Sequence, residues 1–83
     1  MKEILIANID LIHTTKLGIE RIQKNIKIDG DVIKFLKNKI LKNDSIIYRK
    51  GKNYYCEVDD IKITINSFNF CIITAQYVDK RKC

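Results

Sequence analysis

The spacing of hydrophobic positions changes once along this chain, near Ser45. Before that point, isoleucine and leucine recur every three or four positions, which is the period of an amphipathic helix. After it, hydrophobic and polar residues alternate, which is the period of a β-strand. The chain contains no proline and only three glycines, so we expect short connections. Helices followed by strands predict an α+β fold.

The first half predicts three helices. The first covers about residues 2–12, and the hydroxyl of Thr14 or Thr15 can cap the second by accepting a hydrogen bond from a free first-turn amide. The sequence DGD at 29–31 ends the second helix and starts the third. The expected core positions of the helices are Ile4, Leu5, Ile9, Ile12, Ile19, Ile22, Ile26, Val32, Ile33, Leu36 and Ile40.

The second half predicts four strands joined by hairpin turns. The strands cover about 46–50, 54–58, 61–66 and 70–77, and the turns cover 51–53, 59–60 and 67–69. We therefore expect about three N-terminal helices packed on one face of a four-stranded antiparallel β-meander. The whole chain, 1–83, is expected to be one domain, with a helical part at about 2–43, a sheet part at about 46–77 and a charged tail at 79–83.

Alternation assigns each strand residue to one face of the sheet. The face toward the helices is expected to contain Tyr54, Cys56, Val58, Ile61, Ile63, Ile65, Cys71, Ile73 and Ala75. The opposite face is expected to contain Arg49, Tyr55, Glu57, Lys62, Thr64, Asn66, Phe70, Ile72, Thr74 and Gln76. A solvated face is ordinary in an antiparallel sheet. This one, however, combines cations with an aromatic ring, and such groups hold phosphates and stack on bases.

The charge of the chain adds a class of partner to this picture. A formal net charge of +6 favours a polyanion such as RNA. Outside the tail, basic residues are most concentrated at the first hairpin turn. The predicted nucleic-acid-binding residues are Arg49, Lys50, Lys52, Tyr55, Lys62 and Thr64.

A catalytic hypothesis rests on His13, the only histidine. Cleavage of RNA by its own 2′-hydroxyl needs a base, an acid and cations on the phosphate, and imidazole suits proton transfer near neutral pH. His13 and Glu57 are therefore candidate acid–base residues. The alternative is a helix-end histidine that interacts favourably with the negative pole of the first helix.

Cysteine usage and hydropathy exclude other classes of protein. Cys56, Cys71 and Cys83 have no CxxC spacing, so the sequence predicts no zinc site, and we expect no cofactor. Buried thiols at Cys56 and Cys71 and a free thiol at Cys83 fit a reducing compartment. No signal-peptide pattern and no apolar run of about 18 residues is present, so we expect a cytoplasmic protein without a membrane partner.

Several segments together resemble a family of small bacterial domains of unknown function. They are HTTKLGIERIQKNI (13–26), RKGKNYY (49–55), ITIN (63–66) and IITA (72–75). The resemblance covers nearly the whole chain. Members of that family usually have a histidine after IITA, where this chain has Gln76. The resemblance therefore implies that any activity dependent on that histidine is absent here.

The order of helices and strands is also similar, more loosely, to that of the barnase–colicin–RelE group of compact ribonucleases. This similarity implies a site of His13, Arg49, Lys50 and Thr74.

Three functions remain open. The first is an RNA-acting protein, for example a toxin-like endoribonuclease of a mobile element. The second is a non-catalytic, phage-type anti-defence inhibitor, similar to an anti-CRISPR, that binds a nuclease or its guide RNA. The third is a homo-oligomeric regulator that pairs through a sheet edge or a Phe70/Ile72 patch. We favour RNA, or a protein–RNA complex, as the partner.

Overall fold

A computed structural model describes residues 2–78 of the chain. Its elements are α1 (Lys2–Ala7), a 3-10 helix (Ile9–Leu11), α2 (Lys16–Ile26), α3 (Val32–Ile40), β1 (Ile46–Lys50), β2 (Asn53–Val58), β3 (Ile61–Asn66) and β4 (Ile72–Tyr77). Neighbouring strands are antiparallel, and their order in the sheet is β1-β2-β3-β4. The predicted α+β fold, three helices followed by a four-stranded meander, is confirmed. The predicted tail at 79–83 lies outside the described residues.

One face of the sheet packs against the helices and forms the core. The buried apolar residues are Leu5, Ile12, Ile22, Ile26, Val32, Leu36, Ile40, Tyr54, Cys56, Val58, Ile61, Ile63, Ile65, Ile72 and Ala75. Burying one isoleucine side chain stabilises the fold by about 1.5–3 kcal/mol. A one-residue slip of β3 would expose its three isoleucines together, so the hydrophobic pattern fixes the register of this strand.

Side-chain caps start the second and third helices. Thr15 accepts a hydrogen bond from the Gly18 amide at 3.0 Å, and Asp31 accepts one from the Lys34 amide at 3.0 Å. Lys27, with a positive φ of 56°, ends α2. The predicted cap at Thr14 or Thr15 is thus provided by Thr15.

The first helix is shorter than the predicted 2–12. It ends at Ala7, and a separate 3-10 turn follows it. At the break, the Asn8 side chain donates a hydrogen bond to the Ile4 carbonyl at 2.8 Å. Such local side-chain bonding competes with a continuing α-helix. His13 consequently lies between the 3-10 helix and α2, in an extended segment beside β4.

The first hairpin turn has two residues, Gly51 and Lys52, where three were expected. Gly51 has a φ of +62°, which suits the first central position of a type II′ turn. The shorter turn pairs Arg49 with Tyr54 instead of Tyr55. The prediction that Arg49 lies on the face opposite the helices is therefore wrong, because residues directly opposite each other share a face.

A β-bulge changes the faces of β4. Thr64 pairs with Thr74 and Ile65 with Ile72, so Ile73 is the extra residue. Ile72 is 1% exposed and Ile73 is 43% exposed, which reverses the prediction for both. Phe70, with a φ of +58°, packs partly against the core. The predicted Phe70/Ile72 contact patch is therefore wrong, since Ile72 belongs to the core.

Ion pairs hold the second hairpin turn to α3 and to the residues that follow this helix. Asp59 accepts hydrogen bonds from Nζ of Lys39 and of Lys42, both at 2.7 Å. These two bonds hold the pKa of the Asp59 carboxyl below its ordinary value. Both lysines therefore neutralise a carboxylate of the fold, and neither enters the interface described next.

Candidate nucleic-acid interface

The sheet face directed away from the helices is called the outer face. Its side chains form three rows that cross the strands. The first row is Lys50, Asn53 and Asn66; the second is Tyr48, Tyr55, Thr64 and Thr74; the third is Ile46, Glu57, Lys62 and Gln76. Every one of these side chains is at least partly exposed, whereas the core residues of the strands point to the other face.

Three residues of the outer face form a stack. The rings of Tyr48 and Tyr55 have centroids 5.5 Å apart and planes inclined by 23°. Nζ of Lys62 lies 4.9 Å from the centroid of the Tyr55 ring, within range of a cation–π contact. Tyr48 and Lys62 belong to strands on either side of β2, so Tyr55 lies between them. Tyr48, on the edge strand, ends the stack, since no other ring or cation of residues 2–78 contacts its ring.

A hydrogen bond fixes the position of Tyr48. Its hydroxyl donates to Oε2 of Glu57 at 2.7 Å. This bond, followed by partial burial and by the negative charge of Glu57, raises the pKa of Tyr48 above its ordinary value of 10.0. The phenol therefore stays neutral through the physiological range, and its ring is held by a contact that any ionisation would break.

Glu57→Gln should lower the pH at which Tyr48 ionises, because it removes the negative charge beside the phenol. A raised pKa means that the bond stabilises the folded protein below about pH 10 and that this stabilisation is lost as pH rises through the raised value. Ultraviolet absorbance titration measures the shift, and Tyr48→Phe identifies which transition belongs to this phenol. Identical titrations of Glu57→Gln and the wild type would contradict the assignment.

The structure places most of the predicted site residues on the outer face. Tyr55, Glu57, Lys62, Thr64 and Thr74 lie together in its second and third rows. Thr74 lies near α2, where the Asn25 side chain contacts its hydroxyl oxygen at 3.4 Å. The five side chains thus form one continuous surface across three strands.

The three predicted basic residues of the first turn lie in three different locations. Lys50 lies on the outer face, and Lys52 lies in the turn itself. Arg49 lies on the helix side, with its guanidinium carbon 5.9 Å from the centroid of the Tyr54 ring. Its Nε donates to the Gly51 carbonyl at 3.2 Å. Arg49 therefore holds the hairpin together and does not join the outer face.

Tyr48 is the aromatic residue of the outer face that the sequence interpretation missed. A three-residue turn would have placed it on the helix side, whereas the two-residue turn places it opposite Tyr55. The signal was present, since glycine at the first of two turn residues is typical of a tight hairpin. Counting the register from that turn would have paired the two tyrosines.

His13 is not brought near Glu57 or Arg49, two of its predicted partners. Its backbone pairs with Cys71 beside β4, outside the four strands. Glu57 on β2 is three strand spacings away, roughly 14 Å, and Arg49 on β1 is four, roughly 19 Å. Nδ1 of His13 lies 2.8 Å from the Leu11 carbonyl. These separations exceed the reach of a shared proton-transfer site.

The segment HTT-x-LG, at 13–18, has a structural explanation. The Ile72 amide donates to the His13 carbonyl at 2.7 Å, and the Thr14 hydroxyl donates to the Ile72 carbonyl at 2.8 Å. A Cβ atom built on Gly18 would overlap Oγ1 of Thr14. The glycine therefore leaves room for the Thr14 hydroxyl, and together these residues fasten the start of α2 to β4.

The described residues form neither a metal-binding cluster nor a membrane-spanning helix. Among residues 2–78, no group of three or more His, Cys, Asp and Glu side chains is placed to hold a metal ion. No helix within the same residues has the length and apolar character needed to cross a membrane. The cytoplasmic location stays a prediction.

One comparison with known proteins gives a match. The family described as "Protein of unknown function (DUF3781)" matches residues 6–76. No curated protein and no solved structure matches the chain. The matched residues include the whole outer face and the segment that fastens α2 to β4.

Proposed function

The chain belongs to this family of proteins of unknown function, DUF3781, and we propose from its own chemistry that it binds single-stranded RNA on the outer face. The observation that carries the proposal is the stack of Lys62, Tyr55 and Tyr48 on a partly exposed sheet surface whose other side chains, apart from Ile46, are polar. Sheets with exposed aromatic residues are a common platform for unpaired bases.

Stacking supports a single-stranded ligand. Bases that are unpaired can lie against an aromatic ring, whereas bases in a duplex are already stacked on each other. In the present arrangement Tyr48 offers the open end of the stack, so a base added there continues it. A second base can reach Tyr55 by displacing the Lys62 ammonium, whose cation–π contact is worth only about 0.5–1 kcal/mol at an exposed site.

Charge and hydrogen-bonding groups support a nucleic acid over an uncharged aromatic ligand. Lys50 and Lys62 flank the tyrosines, in the first and third rows. A displaced Lys62 ammonium remains close enough to pair with a phosphate of the same strand. Thr64 and Asn66 offer donors and acceptors to base edges and to the 2′-hydroxyl, the group that distinguishes RNA from DNA.

The position of His13 supports binding without cleavage. An acid, a base and a phosphate-binding cation have to meet at one phosphate, and His13 lies about three strand spacings from Glu57. Binding without turnover is also what an anti-defence inhibitor that occupies a guide RNA requires. Cleavage of RNA, the activity that the resemblance to compact ribonucleases implies, is therefore the alternative function.

Binding should weaken with salt, and Lys62→Gln should reduce that dependence. Each phosphate neutralised on a single strand contributes about −0.7 to the slope of log K against log salt. Lys62→Gln should therefore make the slope shallower by about 0.7. Fluorescence anisotropy of a labelled RNA of about 12 nucleotides, a length within known site sizes, measures it at several salt concentrations. Lys34→Gln, at an exposed position of helix α3, is the matched control and should leave the slope unchanged.

Two outcomes would overturn the proposal. The first is equal affinity for the single strand and its duplex. The second is a slope that Lys62→Gln and Lys34→Gln change alike, because binding would then reflect net charge alone. Electrophoresis of the RNA after prolonged incubation tests the alternative, since shortened products that disappear in His13→Ala would indicate an endoribonuclease.

A further inference from the structure

The two edges of the sheet differ in whether their backbone groups are satisfied. At β4, the Ile72 amide bonds to the His13 carbonyl, the Ile72 carbonyl accepts from Thr14, and the Ala75 carbonyl accepts from the Asn25 side chain at 3.4 Å. This edge is therefore covered by α2 and the segment that precedes it. Such cover is a common protection against strand pairing with another chain.

Among residues 2–78, α1 packs against β1, but no element is hydrogen-bonded along the outer edge of that strand. In a two-residue hairpin, the pair next to the turn exchanges both hydrogen bonds, and alternate pairs follow. Lys50, Tyr48 and Ile46 thus bond to β2, so the amides and carbonyls of Ile47 and Arg49 point outward. No backbone hydrogen bond within residues 2–78 joins Ile47 or Arg49 to any element other than β2. Exposed apolar surface accompanies this edge, since Ile46 is 63% exposed.

We propose that two copies of this chain pair through their β1 strands, antiparallel about a twofold axis at Tyr48, to form a continuous eight-stranded sheet. The outward groups of Ile47 in each copy then bond to those of Arg49 in the other. Tyr48 faces Tyr48 of the second copy as a pair without mutual backbone bonds, in which side chains approach most closely. Such a twofold contact is closed and ends at the dimer.

The β1 sequence IIYRK is complementary to itself in this register. Arg49 lies opposite Ile47 of the second copy, and Lys50 lies opposite Ile46, so no cation faces a cation. The isoleucines contact the alkyl stems of the opposing basic side chains. The Tyr48 rings meet at the open ends of the two stacks, which become one row from Lys62 of one copy to Lys62 of the other.

Size and charge set the expected strength of this contact. Five-residue strands bury less than the standard interface of about 1,600 Å², so we expect association in the micromolar to millimolar range. Each copy has a formal net charge of +6, and salt screens the repulsion between them. The dimer should therefore strengthen as salt rises, whereas RNA binding weakens.

Pairing has a consequence for the proposed RNA binding, and this one step rests on that function. The second copy occupies the same side of the Tyr48 ring that a base would use. RNA and the second copy should therefore compete, so that saturating RNA shifts the protein toward the monomer. The pairing itself does not depend on RNA, and sedimentation without RNA tests it separately.

Sedimentation equilibrium of the full chain tests the pairing. We expect the weight-average mass to rise from monomer toward dimer with protein concentration, and no further. Arg49→Pro removes the outward amide without touching a β1–β2 hydrogen bond, so this variant should stay monomeric. Arg49→Ala loses the same side chain but keeps the amide, so it should still dimerise. A wild type that is monomeric at millimolar concentration, or Arg49→Pro and Arg49→Ala that dimerise equally, would overturn the proposal.

A cross-linking pair keeps the proposal testable if Arg49→Pro does not fold. In a Cys71→Ser, Cys83→Ser background, Tyr48→Cys should form an intermolecular disulfide on mild oxidation, because opposed Cβ atoms in a pair without mutual backbone bonds approach to about 4.5 Å, the upper end of the range that a disulfide spans. Ile46→Cys, displaced by two residues from the axis in each copy, should not. Equal cross-linking of the two variants, or none in either, would contradict the register.

Discussion

Tyr48→Ala should weaken the binding of single-stranded RNA by about 5–150-fold, because base–aromatic stacking is worth about 1–3 kcal/mol per base. Tyr48 is the residue to test since its ring ends the stack and its hydroxyl is held by Glu57. Anisotropy at protein concentrations below self-association isolates the effect on RNA. The loss should be nearly independent of salt, because no charge is removed.

Two control variants separate stacking from other causes. Tyr48→Phe keeps the ring and removes only the hydrogen bond to Glu57, so it should retain most of the affinity. Phe68→Ala removes an aromatic ring that is 84% exposed but lies in the β3–β4 turn, outside the three rows of the outer face. Affinity lost equally in Tyr48→Ala and Phe68→Ala would show that aromatic surface is used without regard to position.

Gly18→Ala should destabilise the fold by about 1–3 kcal/mol, the usual cost of overpacking a well-packed site. The new methyl group would overlap Oγ1 of Thr14, so that side chain has to move and its hydrogen bond to Ile72 is lost. For a domain of this size, the expected decrease in Tm is roughly 5–20 °C. Thermal unfolding followed by circular dichroism measures it.

A double-mutant cycle identifies the cause of that loss. Thr14→Ala removes the obstructing hydroxyl at a cost of about 0.5–1.5 kcal/mol for its hydrogen bond. In the Thr14→Ala background, Gly18→Ala should be neutral or stabilising by up to about 1 kcal/mol, because alanine is the better helix former. Additive losses in the two variants would mean that Gly18 is required for some other reason.

The strands show which expectations a sequence supports well. In β2 and β3, isoleucine, cysteine, valine and tyrosine alternate with polar residues, and every predicted core position is buried. Burial of one whole face penalises any slip in register, so the pattern alone is decisive. The hairpin at Asp59 and Asp60 was equally clear, and both residues adopt the positive φ that such a turn requires.

The wrong face assignments lie in strands where the length of a turn, or one extra residue in a bulge, decides which face a side chain occupies. Counting three residues in the first turn placed Arg49 on the outer face and left Tyr48 out of the site. The bulge at Ile73 reversed Ile72 and Ile73, because an extra residue interrupts the alternation between the two faces. Periodicity cannot locate a bulge when neighbouring residues are both isoleucine.

The candidate site was predictable in part. Five of its residues, Tyr55, Glu57, Lys62, Thr64 and Thr74, follow from alternation within single strands. The catalytic hypothesis required His13 to reach them, which depends on how the N-terminal segment crosses the sheet. The structure places that segment along the β4 edge, where the backbone of His13 is hydrogen-bonded to Phe70 and Ile72.

By itself, the sequence determined the α+β order, the helix caps, the core faces of the central strands and the basic character of the surface. These are local properties, set by period, capping and charge over a few residues. Only the tertiary structure decided that Tyr48 joins Tyr55, that Arg49 leaves the outer face, and that β1 is the open edge. Each of these depends on how distant segments pair, and a change of one residue in a turn or bulge is enough to alter it.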